Sequence, residues 1–551
     1  MLFSLTASTL LRDLVTTMQD ALIVVGGVAL TTHLIFKKNE PSNVAVGLAL
    51  TLSTPLVLSI VLHKAFSSYV TAILLISAVF HGVLGTSILL YRLSPFHPLA
   101  KYPGPLLCKV GKIFFYLKAK DGQQYHYINS LHHQYGDIVR IGPNDLSIAD
   151  AAAIVPVMGP AGLPRGPEIQ SRQLYPAVKS LIGTRDTIQH HHRRKPWTRA
   201  FNSTALKEYA PLISHRANQL VELITAESKE KSVDLSSWFG RFTYDVMSDV
   251  IYGGGPSMLQ DGDKSGNIQV IAEGLTQGSI YEHLPWLAYY AKKLPGKVND
   301  SLLGLRKLGL GLAAGRQQRG SKTKDLFYYL NNEDLPNAEP TPAPLLVSEG
   351  VLATVAGSDT TSSTLTTEVD HFYPPEVDAL DSKYYKDIPL IDAVINETLR
   401  LWPAVASGSI RLVPHGSGGK MVDKYFIPEG THVRVHSYTV QRDPRNFSPS
   451  PEKWWPDRWL IAEGHQTSSY SSESSKSFTH NTAAFVPFSF GPANCVGKPL
   501  AIMEMRMIIA YLMQKVEMSF DESWDPSEYA GNLREEQVLL RGSLKVLAKL
   551  R

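Results

Sequence analysis

Phe488-Ser489-Phe490-Gly491-Pro492-Ala493-Asn494-Cys495-Val496-Gly497-Lys498-Pro499-Leu500-Ala501 is the stretch from which the rest of this chain is read. Glycine and proline punctuate it as a loop, and Ile502, Met505, Ile509 and Leu512 follow at helical spacing, so one cysteine is presented where a helix begins. The partial positive charge and free N–H groups of a helix N-terminus favour thiolate over thiol. A thiolate is a metal ligand. The plain alternative is a buried free cysteine in an ordinary core turn.

Zinc does not suit the pattern, because no second cysteine or histidine stands beside Cys495 at zinc-ligand spacing. A single axial bond to haem iron suits it better. Gly491 would let backbone approach such a cofactor, and Phe488 would pack beside the sulfur and limit water. The string Phe-x-x-Gly-x-x-x-Cys-x-Gly resembles the haem-binding loop of the cytochrome P450 family, and Pro487-Phe488-Ser489-Phe490-Gly491-Pro492 is similar to its fungal microsomal members. The resemblance implies a mainly α fold with small β-sheets, haem b (iron protoporphyrin IX) as cofactor, and Cys495 as the iron ligand. There is one departure. Such loops carry a basic residue two before the cysteine, where this chain has Ala493, so a propionate contact has to come from elsewhere.

At 551 residues the chain has room for one large enzyme core and a targeting segment. A formal charge of +4, with no long Lys/Arg run interleaved with aromatics, argues against a nucleic-acid partner. Cys108 and Cys495, far apart, give no disulfide framework, and the working part is expected to face a reducing compartment. Residues 1–92 read as a membrane-spanning region: Ala21–Phe36, Val44–Leu62 and Tyr69–Tyr91 are apolar runs of 16, 19 and 23 residues without Asp, Glu, Lys or Arg. About 20 apolar residues span a bilayer, so two to three helices are expected. Lys37 and Lys38 after the first run, and Arg92, Lys101, Lys109 and Lys112 after the third, place those segments on the cytosolic side, with the endoplasmic reticulum the expected membrane. Either three spans or a single anchor with a hairpin lying in the membrane fits. Pro95, Pro98, Pro103 and Pro105 make residues 93–106 a stiff, extended linker, leaving 107–551 as the catalytic domain.

Asp137–Gly142 and Leu146–Ile148, split by Gly142-Pro143-Asn144-Asp145, predict a short strand pair. In Gln189-His190-His191-His192-Arg193-Arg194 the three histidines point in different directions on a helix, which disfavours a shared metal. A solvated basic face is one reading. His190 and Arg194, four apart on one face, as donors to two haem propionates is the other. Trp238–Met247 reads as a core helix, and aromatic His283–Leu294 as a surface helix or a segment dipping into the lipid interface.

Ser348 to about Thr367 is a helix containing Ala356-Gly357-Ser358-Asp359-Thr360-Thr361. Its small residues would admit a flat ligand or a local widening, and the motif resembles the family's oxygen-activating helix, which implies Asp359 and Thr360 as a proton relay. The chain then departs from the family: only 37 residues separate Thr360 from Glu397, short by about two helices. Ile391–Pro403 is an amphipathic helix, and Glu397-Thr398-Leu399-Arg400 resembles the family's Glu-x-x-Arg motif, which joins Arg458 in a buried network. The resemblance also places uncharged Ala404–Ile410 along the haem, with Arg411 on a propionate. His465–Thr482 reads as a Ser-rich flexible insert.

The resemblance implies a membrane-bound monooxygenase that takes O2 and electrons from a separate NADPH-cytochrome P450 reductase, since no flavin- or dinucleotide-binding glycine signature stands in this chain. The expected substrate is an apolar molecule of terpenoid, fatty or polyketide type. A reductase-independent haem-thiolate isomerase or dehydratase is a second reading. A catalytically impaired haem-binding membrane protein, given Ala493 and the short region after Thr361, is a third.

Overall fold

The computed structural model describes residues 17–38, 44–172, 178–284, 300–362, 380, 388–465, 478–525, 531–540 and 542–551. Two compact units emerge, Met1–Gly111 and Lys112–Arg551. In the first, three helices are long and apolar enough to cross a membrane, Met18–Lys37, Ala45–Ala65 and Tyr69–Leu93. Reciprocal bonds between Thr17 and Asp20 cap the first, and Ser68 caps the third by accepting from the Thr71 N–H. Ala72, Ile76, Phe80 and Leu84, one turn apart, form the buried stripe of the third helix, and the last three cluster with Ala21, Val25 and Ala29. Leu74, Leu90 and Ile23 stay exposed, as a lipid-facing surface requires.

The proline segment is not extended. His97, Ala100 and Tyr102 donate N–H bonds to Ser94, His97 and Leu99, so successive turns form between the prolines, and Arg92 reaches the Val110 carbonyl. Residues 94–111 therefore belong with the membrane helices rather than forming a free spacer.

The second unit is helical around one large apolar core. Helices α1 (Thr187–Ala200), α2 (Leu235–Tyr252), α3 (Asn267–His283), α4 (Ala343–Ser362), α5 (Pro389–Leu401) and α6 (Lys498–Lys515) matter most for the site. Asp234 caps α2, and Gly253 ends it at φ 63°, in the left-handed region that glycine tolerates. The helix between is buried on nearly every side, as its sequence predicts. It packs on α4 so closely that a Cβ at Gly357 would come within 2.4 Å of Met247. Gly357 thus serves helix packing, and α4 remains α-helical without a local widening.

Strands β1 (Ile138–Arg140) and β2 (Asp145–Ile148) form the expected antiparallel pair, Ile138 opposite Ile148. With β3 (Arg411–Leu412) and β4 (His432–Val435) they make a sheet of order β1-β2-β4-β3, in which β2 and β4 run parallel. A hairpin, β5 (Arg534–Glu536) and β6 (Val538–Leu540), turns at Gln537. Part of the Ser-rich insert is ordered: Thr479–His480 pairs with Phe447–Ser448, while 466–477 lies outside the described residues.

Glu397 on α5 ties these parts together. Its carboxylate accepts from Arg400 Nε at 2.8 Å, Arg458 Nε at 3.0 Å, Trp459 Nε1 at 3.0 Å and the Trp455 N–H at 2.9 Å. Arg400 also donates to the Gln441 and Pro451 carbonyls. All three charged side chains are fully buried. Charges so placed persist only when hydrogen-bonded on every side, and removing one partner typically costs about 3–5 kcal/mol.

Candidate active site

The cysteine loop is a tight hairpin: the Cys495 N–H donates to the Phe488 carbonyl at 2.9 Å and the Asn494 N–H to Gly491 at 3.0 Å. Ser489 at φ 60° and Gly491 at φ 73° take the turn's left-handed positions. The bare side of Gly491 faces protein, since a Cβ there would meet the Met158 carbonyl oxygen at 2.1 Å. Gly491 does not line the cavity described below, so its closeness is to backbone rather than to a cofactor. Helix α6 starts at Lys498, and the Gly497 and Lys498 N–H groups bond Cys495. Burial pushes the thiol up while these N–H groups and the charge of Arg194 pull it down. The sulfur sits deep in the fold, with its residue surface open to the cavity.

That cavity holds about 370 Å³, within the range of small-molecule sites. Cys495, Phe488 and Ala493 supply one wall. Ala353, Ala356, Gly357 and Thr360 of α4 supply another, and the Thr360 hydroxyl donates back to the Ala356 carbonyl at 2.6 Å. The Asp359 side chain lies outside the described residues. Ala404, Val405 and Ile410 add an apolar border, whereas Ala406 packs in a separate cluster with Tyr125. The segment 285–299, which holds most of the aromatic run after His283, is outside the described residues too.

A basic corner completes the cavity. Helix α1 delivers His190 and Arg194 to it on one face, with His191 and His192 exposed, and β3 delivers Arg411. Burial first, then the charges of Arg165, Arg194 and Arg411, push His190 down to about 4, so it is neutral near pH 7. Arg411 is 4% exposed and held down to about 10 by burial alone, and its Nε has no hydrogen-bond partner among the described residues. The same holds for His190 Nε2 and Trp197 Nε1. Arg194 is engaged, donating to the Asn494 carbonyl at 2.6 Å and its Oδ1 at 2.7 Å, and Arg165 donates to the Leu181 and Ile182 carbonyls. A buried guanidinium without a counter-charge is costly, so an anionic group belongs in this corner. Cys495, the apolar walls and the basic corner would suit a flat cofactor carrying two carboxylates and a metal.

Two features escape a sequence reading. Glu504 on α6 has both carboxyl oxygens buried without partners among the described residues, and burial pushes it up to about 8, which makes it a neutral acid in the cavity wall. The signal was present, because Glu504 interrupts the stripe Leu500, Glu504, Ile508 at i, i+4, i+8. The second is a cluster of Asp145, Glu168 and His432, close enough together to hold a cation. Lys112 Nζ already lies 2.9 Å from Asp145 and 3.5 Å from Glu168, and supplies the positive charge itself.

A cavity bounded by a cysteine loop, a small-residue helix and a basic corner, in a fold tied by a buried Glu-Arg-Arg network, has the parts of a haem-thiolate site. The Cytochrome P450 family model matches residues 102–367 and 364–541. The chain belongs to the cytochrome P450 family, whose members bind haem b. It is 30% identical over 484 residues to the cytochrome P450 monooxygenase FCK2 of Fusarium pseudograminearum, covering 84% of this chain and 83% of that one. It is 29% identical to cytochrome P450 67 of Uromyces fabae, over 93% and 96% of the two chains. With the cytochrome P450 monooxygenase orf5 of Eupenicillium brefeldianum it shares 31% identity over 80% and 89%. The chain is an oxidoreductase of the monooxygenase type.

Proposed function

We propose that this chain is a membrane-anchored haem-thiolate monooxygenase that oxidises an apolar small molecule, such as a terpenoid or other secondary metabolite, with electrons from an NADPH-dependent reductase. The observation carrying the reading is Cys495 opening onto a largely apolar cavity beside Arg411, a buried guanidinium whose Nε has no hydrogen-bond partner among the described residues. Haem supplies oxygen binding and O–O cleavage when bound. Cys495 would hold the iron, with the Gly497 and Lys498 N–H groups on its sulfur and Phe488 in the same cavity wall. His190, Arg194 and Arg411 would bond the cofactor carboxylates. Thr360, with Asp359 one residue before it, moves a proton from solvent into the cavity. Ala404, Val405, Ile410 and Ala353 exclude water and admit an uncharged substrate. Three apolar helices fit an anchor, and we place it in the endoplasmic reticulum with Lys112–Arg551 in the cytosol.

One observation favours a second reading. The family match breaks into two parts that meet at 364–367, inside the segment after Thr361 where the chain looks short. A catalytically impaired haem-binding membrane protein is the corresponding function. Full-length protein in membranes with a fungal NADPH-cytochrome P450 reductase separates the two. The monooxygenase gives a thiolate-type carbon monoxide difference band and substrate-stimulated NADPH use, while the impaired protein gives the band without the NADPH use.

A further inference from the structure

The tip of the β5–β6 hairpin forms part of the cavity wall. Val538 packs on the cluster that holds Ile271 and Leu275 of α3, as does Val355 of α4, and the Leu539 N–H donates to the Ala404 carbonyl at 2.8 Å. Glu536, just before the turn, bonds Ser279 of α3. Gln537 stands at the turn itself with φ 69°, a left-handed position that glycine or asparagine takes more readily. Its amide lies against Gly278 of α3, where an added Cβ would come within 2.2 Å of Nε2. Turn and helix together hold the amide in place.

Gln537 lines the cavity, yet its Nε2 is buried with no hydrogen-bond partner among the described residues. Other uncharged polar side chains of that wall are engaged: Thr360 donates to the Ala356 carbonyl, Ser489 to the Met158 sulfur, and Asn494 accepts from Arg194. The buried Ser409 hydroxyl, also in the wall, shares the lack of a partner among the described residues. A buried N–H left unbonded is costly, so an acceptor belongs beside Nε2 when the cavity is filled. Glu282, one helical turn beyond Gly278, adds an acidic side chain to the same cavity and selects against an anion there.

We infer that Gln537 is a specificity-determining residue whose amide donates a hydrogen bond to a neutral oxygen of the substrate, so that the molecule oxidised is an apolar skeleton already bearing a carbonyl or ether oxygen. The inference rests on the monooxygenase reading and narrows its substrate class. A bare hydrocarbon leaves the N–H unbonded and is discriminated against. The substrate is therefore supplied by a reaction that installs or leaves such an oxygen, an earlier oxidation or a condensation, rather than by a cyclisation that ends in a hydrocarbon.

The test titrates full-length haem-loaded protein in membranes with three matched pairs: decalin and decalone, dodecane and dodecanone, androstane and androstanone. The spin-state shift of the haem spectrum gives each Kd, and the thiolate-type carbon monoxide band checks that each variant is loaded. In the pair whose skeleton fits, the parent should bind the ketone about fivefold more tightly than the hydrocarbon, the ordinary worth of one neutral hydrogen bond. Gln537→Leu, apolar and close in size, should reverse that order, because the carbonyl is then buried unbonded. Gly278→Ala keeps Gln537 but pushes its amide aside, and should cut the ketone preference too. The double variant should do no more than Gln537→Leu alone, since one contact has been removed twice. A parent that prefers the ketone in no pair, or a preference that survives Gln537→Leu, would overturn the assignment. Where Gln537→Leu fails to load haem, Gly278→Ala decides, and an unchanged preference there overturns it equally. A parent protein without a thiolate-type band overturns instead the haem-thiolate reading on which the inference stands.

Discussion

At the scale of single residues the site turns on which buried polar atoms already have partners. Cys495 is bonded through backbone N–H groups but keeps its surface toward the cavity, so the sulfur remains available to a metal. Cys495→Ser should abolish the thiolate-type carbon monoxide band, because a hydroxyl is a far poorer anionic donor at neutral pH. An unchanged spectrum would sink the ligand assignment. Arg411 is the complementary case, a guanidinium buried in a strand with an idle Nε. Charge-assisted bonds from it to a cofactor carboxylate are expected to contribute about 1.5–3 kcal/mol, so Arg411→Ala should lower haem retention on mild heating. Ala493→Arg adds a donor in the same corner and should raise retention, and the double variant should fall between the two if both serve the same carboxylates. Expulsion of haem by Ala493→Arg would mean that the loop has repacked around the small side chain.

At the scale of elements, α4 is the one that both packs and works. Its Gly357 face lies on Met247 of α2, the Ser358 carbonyl accepts from Thr243 of α2 at 2.8 Å, and Thr360 reaches the cavity two residues later. The helix is therefore held against α2 at Gly357 and Ser358, and Thr360→Ala removes a hydroxyl that takes part in neither contact. Haem binding should be kept, while NADPH use becomes uncoupled from product and hydrogen peroxide output rises. Flat peroxide output would argue against a relay through Thr360. Much of this element was legible beforehand: the small-residue run, the strand pair at Asp137–Ile148, the core character of Trp238–Met247 and the Glu397, Arg400 and Arg458 network all follow from spacing or motif. What was not legible depended on contacts between distant segments. Nothing local says that Gly491 faces Met158, that Gly357 faces Met247, or that Arg194 meets Asn494 three hundred positions on. The proline linker misled for a related reason, since proline removes its own N–H but leaves those of His97, Ala100 and Tyr102 free to close turns.

At the scale of the whole molecule, the Lys112–Arg551 unit buries titratable groups whose neutral forms the fold requires, and they act from opposite ends of the pH range. His132 and His480 are pushed down to about 4, and His436 well down, chiefly by burial. In the unfolded chain these histidines bind protons near 6.5, so the unfolded state gains protons first as pH falls. Their contribution is present above about 6.5 and is lost as pH falls through that value toward 4. The buried acids work the other way. Glu349, which accepts from the Leu181 N–H at 3.0 Å, is pushed up to about 7 and Glu504 to about 8, both by burial. Their unfolded values lie near 4.3, so the folded state is the one holding protons between there and 7–8. That contribution is whole below the unfolded value and is lost as pH rises through 7 and 8. Thermal unfolding of the haem-loaded protein should therefore show its highest midpoint near pH 6–7 and fall on both sides. Glu504→Gln, which keeps the shape and removes the proton, should flatten the alkaline limb and leave the acid limb unchanged. His436→Gln should flatten the acid limb alone. Should Glu504→Gln leave the fall above pH 7 as steep as in the parent, the carboxyl must already share its charge with a group in the loaded cavity, and the alkaline loss would have to be traced to Glu349.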